Sequence, residues 1–341
     1  MTDADSAYLT DPANLIVDVI GGLSRFAALA VLADLGAADH LRDRGPLTPT
    51  ELAVRCGADA PALGRVLREL ASIGVVASAE GGRYALTPAG ATLCTDGSMR
   101  AGVLMNAHPT FRYAMDHLPV TVRQGRSAFA DHYGGMYESL RADAELARLF
   151  DAYMYSRAVP LIEAAASLYD YGGIGTLVDV GGGNGHYLRA ILPRHPELRA
   201  VLFDVDHVIT SARDAIAEAG LAERCECVAG DFFANVPSDG DAYLLGSVLH
   251  NWSDENCVRI LQNVRKAMSP EGRVLILEYV LPDGDDPHVG KDIDMRMLAL
   301  FTDAPERSRH EYAELLAQAD LRIEDVVELS NDGSIIDARP R

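Results

Sequence analysis

Leu177-Val178-Asp179-Val180-Gly181-Gly182-Gly183-Asn184-Gly185 is the stretch whose reading decides the fold. Its first four residues, apolar but for Asp179, read as a buried parallel strand, and the glycines after it make a tight turn. Leu188, Ile191 and Leu192 follow at helical spacing. Strand, glycine turn and helix N-terminus together are where an α/β sheet holds a nucleotide-like ligand. A dinucleotide fingerprint spaced G-x-G-x-x-G from Gly181 needs a third glycine at 186, where the chain has His186. The spacing argues against NAD.

Beyond the turn the pattern alternates. Strands are predicted at 200–204, 225–229, 242–247 and 273–280, with helices from 208 and over 254–268. Such alternation means a parallel sheet with helices on both faces. At the end come a helix over 309–319 and strands near 322–328 and 334–338, joined only by Leu329-Ser330-Asn331-Asp332-Gly333. So short a link makes the last two strands antiparallel. The fold class is α/β, a doubly wound Rossmann-like sheet closed by a C-terminal antiparallel hairpin, over residues 171–341.

Upstream the chain reads differently. From Leu15 to about Leu41, Ile16, Ile20, Leu23, Phe26, Ala27, Ala30, Val31 and Leu35 recur at helical spacing on more than one face, as in a helix that buries a second side against another subunit. Thr48-Pro49-Thr50-Glu51 is a capping-box pattern starting a helix to about Cys56, and a second helix carries Leu63, Val66, Leu67 and Leu70. Gly74-Val75-Val76 and Tyr84-Ala85-Leu86, around Glu80-Gly81-Gly82-Arg83, read as a hairpin. Together these make a mostly α winged helix over residues 1–100. Arg65 and Arg68 lie on its second helix, but Glu69 stands beside them and there is no basic cluster. The module is read as a dimerisation domain.

Residues 101–170 read as helices linking the two domains and contributing to a substrate pocket. Their methionines and aromatics suit both core packing and a flat aromatic ligand. Met105, Asn106, Phe111, Phe150 and Met154 are the candidate pocket residues.

The 341 residues, 48% hydrophobic, allow two domains with sizeable cores. A net charge of −20 repels phosphate backbones and anionic lipid, so neither nucleic acid nor membrane is an expected partner. Five cysteines without a C-x-x-C pair suggest neither a disulfide framework nor a zinc site, and Cys225 and Cys227 share one strand face. Met1-Thr2-Asp3-Ala4-Asp5 lacks a basic start, and no apolar run is read as long enough to span a membrane. A cytoplasmic protein is expected.

Two acids complete a nucleoside site. Asp204 ends the second strand about 20 residues beyond the glycine turn, where a carboxylate accepts both ribose hydroxyls. Gly230-Asp231-Phe232-Phe233 follows the third strand, offering a carboxylate to an adenine amino group and an aromatic face to the ring.

The glycine stretch, Gly230-Asp231-Phe232-Phe233, Asp241-Ala242-Tyr243-Leu244-Leu245 and Val248-Leu249-His250-Asn251-Trp252-Ser253-Asp254-Glu255 together resemble the small-molecule O-methyltransferases of the plant caffeic-acid type, especially their bacterial natural-product branch. The likeness spans nearly the whole chain. It implies a homodimer that uses S-adenosylmethionine, with Asp179 and Gly181 toward the cofactor's amino-acid end, Asp204 and Val205 at its ribose, Asp231 and Phe232 at its adenine, and Gly183 and Ser247 among the other cofactor-binding residues. By the same resemblance His250 is the general base, flanked by Glu278 and Glu306, and no metal is needed. Asn251, Arg296, Met297 and Phe301 fall on substrate-facing positions.

The departures are as informative. Asn251 replaces the family's aspartate. Gly246 and Ser247 stand where the plant enzymes have lysine and tryptophan, which removes one cofactor contact and is expected to open the pocket wall. Asp303-Ala304 replaces a glycine pair before Glu306. Arg296 reads either as a partner for a substrate carboxylate or ketone-rich ring, or as an ion pair with Asp292 or Asp294. The expected reaction is methylation of a phenolic hydroxyl on an aromatic, polyketide-like intermediate. The alternatives are the same fold with altered chemistry (N-methylation, decarboxylation or hydroxylation) and a winged-helix regulator sensing the cofactor.

Overall fold

The computed structural model describes residues 12–329 and 332–341. The readings of Met1-Thr2-Asp3-Ala4-Asp5, and of Ser330 and Asn331 in the C-terminal link, lie outside the described residues. The chain divides into two compact units, residues 1–113 with 139–156 and residues 114–138 with 157–341. The stretch 101–170 is therefore shared between them.

In the first unit the opening helix is Pro12–Asp34. It stops short of Leu41 because the chain turns at Gly36, in left-handed backbone (φ 59°) that disfavours a side chain, before a new helix, Ala37–Arg44. Ala28, Leu32 and Ala33 are buried, whereas Leu15, Ile16, Val19, Ile20 and Leu23 are each more than half exposed. One face packs inward and the other is apolar and open. By length and composition this helix could cross a membrane, which corrects the reading that no apolar run is long enough. Its 23 residues carry so few charges that Asp18 and Arg25, paired at 2.5 Å, do not break the run.

The predicted capping box is present. The Glu51 N–H donates to Thr48 Oγ1 (3.2 Å), the Thr48 N–H donates to the Glu51 carboxylate (2.8 Å), and the helix runs Pro49–Cys56. The next helix, Ala60–Ser72, buries Leu63, Leu67 and Leu70. β1 (Val76–Ala79) and β2 (Arg83–Leu86) form the antiparallel wing, and Arg83 donates to Glu51 (2.8 Å), tying wing to capped helix. Arg65 and Arg68 are exposed.

The second unit is built on one sheet. β3 (Thr176–Val180), β4 (Arg199–Asp204), β5 (Cys225–Ala229), β6 (Ala242–Gly246) and β7 (Arg273–Glu278) pair in parallel, and β8 (Leu321–Glu328) and β9 (Ser334–Pro340) pair antiparallel. The order is β5-β4-β3-β6-β7-β9-β8. The winding reverses between β3 and β6, the switch point at which doubly wound sheets bind ligands. Leu177, Leu202, Leu244 and Leu275 fill the core on one face, and Val178, Val180, Tyr243, Leu245 and Ile276 fill it on the other. Strands covered on both faces read as near-continuous apolar runs, which is why they are legible in sequence. β6 and β7 end one and two residues earlier than predicted, because the chain leaves the sheet there to form the site.

Candidate active site

The predicted acids Asp179, Asp204, Asp231 and Glu278, with Ser247, His250 and Asn251, fall at the C-terminal ends of the parallel strands or just beyond them, whereas Arg296 lies on the helix Val289–Leu300 and Glu306 in the loop before the last helix. After β3, Gly181, Gly183 and Gly185 all have positive φ (73°, 57° and 70°). A Cβ on Gly181 would also lie 3.0 Å from Val248 and 3.5 Å from Phe232, so both conformation and space call for glycine. The Gly183 N–H donates to Asp204 Oδ2 (2.9 Å) and the Val205 N–H to Asp204 Oδ1 (2.7 Å), which fixes that carboxylate beside the turn. Val205 itself is exposed and contributes backbone. Asp231 accepts the Phe233 N–H (2.8 Å), and Phe232, Phe233 and Trp252 pack edge to face.

Asp179 is 1% exposed, and neither carboxylate oxygen has a partner among the described residues. Burial, with the Asp204 charge adding, pushes it up to about 7. An orphaned buried carboxyl beside a glycine turn fits a ligand ammonium, and Asp204 and Asp231 fit the two polar ends of a nucleoside. The residues present therefore suit S-adenosylmethionine.

Past β6 a single tight turn, Leu249–Asn251, carries His250. His250 Nδ1 is 2.9 Å from Glu306 Oε1 and 3.9 Å from Glu278 Oε2. Glu278, at the end of β7, also accepts the N–H of Leu249 (3.0 Å) and of His250 (3.4 Å), so it holds the turn as well as facing the ring. Both glutamates are buried, while the His250 side chain is 20% exposed. Burial works against the imidazolium, but the Glu278 charge and the Glu306 hydrogen bond outweigh it, raising His250 to about 9. Glu278 is pushed up to about 7 by burial, against the pull of His250. With Nδ1 given to Glu306, Nε2 is the ring nitrogen left to exchange a proton with a ligand. One donor atom from each of the three side chains lies within 4.8 Å of the others, close enough to share a metal ion.

The placement of Glu306 despite Asp303-Ala304 has a cause that sequence reasoning missed: Asp294 accepts the Glu306 N–H (3.0 Å). Arg307 was missed too. It is 1% exposed and donates to the carbonyls of Leu249 (3.1 Å) and Trp252 (2.7 Å), on either side of His250, and to Asp254 (2.8 Å). Its position in Pro305-Glu306-Arg307 was a signal, since a charge beside a predicted site residue needs a partner when buried.

The substrate candidates are divided. Met105, Asn106, Phe111, Phe150 and Met154 belong to the first unit, and Asn251, Arg296, Met297 and Phe301 to the second. The Asn106 amide donates to Gly102 O (2.7 Å), and the Asn251 amide to Ser247 O (3.1 Å). Arg296 pairs with Asp292 (2.8 Å), one of the two readings made of it. Met297 is buried with Ile293 and Ala304, and Phe301 packs against them. At Gly246 the space a side chain would take is occupied by the Tyr187 ring.

An O-methyltransferase domain model matches residues 115–322, and an O-methyltransferase dimerisation domain model matches residues 17–96. The phenazine O-methyltransferase PhzM of Lysobacter antibioticus is 38% identical over 343 residues, covering all of both chains. The aclacinomycin 10-hydroxylase RdmB of Streptomyces purpurascens is 37% identical, over 95% of this chain and 89% of the relative. Among solved structures, the O-methyltransferase NcsB1 from neocarzinostatin biosynthesis, in complex with S-adenosylmethionine and 2-hydroxy-5-methyl naphthoic acid, superposes with a TM-score of 0.74 at 32% identity, over 93% of this chain and 96% of that one. Sheet order, strand-end site and matched domains agree: the chain belongs to the O-methyltransferase family, whose methyl donor is S-adenosylmethionine, in its bacterial natural-product branch.

Proposed function

We propose that this enzyme methylates a phenolic hydroxyl of a small aromatic natural-product intermediate, polyketide-like in character, with His250 as general base. The observation that carries the reading is the 2.9 Å pairing of His250 Nδ1 with Glu306 at the cofactor edge of the sheet. When bound, S-adenosylmethionine would supply an electrophilic sulfonium methyl, whose carbon passes to a phenolic oxygen in line as the C–S bond breaks and the neutral thioether leaves. The protein's task is to aim the oxygen and remove its proton. Glu306 accepts Nδ1–H and so leaves Nε2 as the proton acceptor. Glu278 anchors the turn beneath the ring and, with Glu306, stabilises the imidazolium that forms. A base at about 9 lies close to a phenol at about 10, so the proton moves between nearly matched groups.

Asp179, Gly181, Gly183, Asp204, Val205, Asp231, Phe232 and Ser247 are assigned to the cofactor. Met105, Asn106, Phe111, Phe150, Met154, Asn251, Arg296, Met297 and Phe301 are assigned to the acceptor. The open apolar face of Pro12–Asp34 supports a homodimer formed through the N-terminal domain. The net charge of −20 is what supports a cytoplasmic enzyme without nucleic acid or membrane partners. In-line displacement requires no Lewis acid, so the His250 cluster is assigned to proton transfer.

A second reading, hydroxylation on the same fold, draws on the likeness to RdmB. The buttressed histidine favours methylation, because hydroxylation has less need of such a base. His250→Ala tests the choice: turnover with phenolic acceptors should fall at least about tenfold while cofactor affinity stays nearly intact. Unchanged turnover would mean that proximity alone drives the reaction.

A further inference from the structure

β6 ends at Gly246, and a Cβ there would lie 2.4 Å from Cε2 of Tyr187. The ring of Tyr187, second residue of the His186–Ile191 helix that follows the glycine turn, thus fills the place of a side chain at 246. Tyr187 is 8% exposed, and its hydroxyl lies 3.4 Å from Ser247 Oγ. That is long for a hydroxyl pair, which usually closes to about 2.7–2.8 Å, so each group retains capacity for a better partner. Ser247 has φ 56°, left-handed backbone that a serine adopts at a cost, and such strain concentrates at ligand sites. Burial, with the nearby charges of Glu278 and Asp179, holds the Tyr187 phenol far above its ordinary pKa. It therefore remains a neutral donor at any working pH.

The amino-acid end of the methyl donor is a zwitterion, and its ammonium and carboxylate need an acceptor and donors respectively. Asp179 is a buried acceptor with no partner among the described residues. Gly246 itself brings no side chain to this edge. We propose that Tyr187, together with Ser247, binds the carboxylate of the cofactor's amino-acid end, taking over the contact that glycine at 246 cannot make. The assignment rests on the reading of S-adenosylmethionine as cofactor.

Calorimetric titration with S-adenosylhomocysteine and with 5′-methylthioadenosine, which lacks the amino-acid end, separates the possibilities. Tyr187→Phe keeps the ring over Gly246 and removes only the hydroxyl. It should weaken S-adenosylhomocysteine about tenfold, a charged hydrogen bond's worth, and leave 5′-methylthioadenosine within about twofold. Ser247→Ala should act in the same direction, and the double variant less than additively. Equal losses for both ligands, or none for either, would overturn the assignment and leave Tyr187 a packing residue. If the unmodified enzyme binds neither ligand, the cofactor reading itself falls, an outcome distinct from failure of the Tyr187 assignment.

Discussion

His250 Nδ1 lies 2.9 Å from Glu306 and 3.9 Å from Glu278, so two buried carboxylates bear on one ring nitrogen. Glu306 makes the hydrogen bond, while Glu278 contributes charge and holds the backbone below. The consequence is a histidine raised to about 9, which sets the pH at which it can serve as a base.

Because only the neutral imidazole accepts a proton, turnover should rise with pH and level off above about 9. Glu306→Gln keeps an acceptor for Nδ1–H but removes the charge. It should shift the midpoint toward acid by about one unit and lower the plateau about tenfold. Initial rates from pH 6 to 10 provide the check, and an unmoved midpoint would count against the pairing. Linkage fixes the sign for stability: the raised histidine stabilises the fold fully below its ordinary value of 6.5, and that contribution is lost as pH rises through about 9.

Asp179 leads to a prediction about binding. Its carboxyl, pushed up to about 7 by burial, is largely protonated in the free protein below that pH, whereas a ligand ammonium needs it ionised. S-adenosylhomocysteine affinity should therefore fall as pH drops from 8 to 6, and Asp179→Asn should bind about tenfold more weakly without that dependence. For the free protein the stabilising contribution is fully present below about 3.9, the ordinary aspartate value, and is lost as pH rises through about 7. Thermal melts with and without ligand at several pH values would show it, and an Asp179→Asn variant with wild-type pH dependence would refute the role.

Arg307 ties both sides of the His250 turn to the Glu306 loop, so it is a positioning residue. Arg307→Lys keeps a charge but loses the fork that reaches two carbonyls and Asp254. Turnover should fall about tenfold and its pH midpoint should move, while S-adenosylhomocysteine affinity holds within about threefold. Parallel loss of affinity and turnover, with the midpoint fixed, would instead mark a purely structural residue.

The middle of the sheet was legible because both of its faces are buried there, which writes near-continuous apolar runs for β6 and β7. The cap at Thr48 was legible for a local reason, since the atoms that satisfy it lie three residues away. What escaped depends on tertiary approach. Nothing local shows that the Tyr187 ring lies over Gly246, nor that Arg307 is buried, because an arginine in sequence looks solvated until its partners are known. The opening helix was overextended because its apolar periodicity continues past Gly36 while its backbone does not.

The C-terminal hairpin acts as a ruler for the chemistry. Gly246 pairs with Leu277 and Glu278 with Ser334, so β7 is measured against β6 on one edge and β9 on the other. Side chains alternate between faces, and a slip of one residue would swing Glu278 away from His250 altogether. The last residues of the chain, far from His250 in sequence, thus set the spacing on which proton transfer depends.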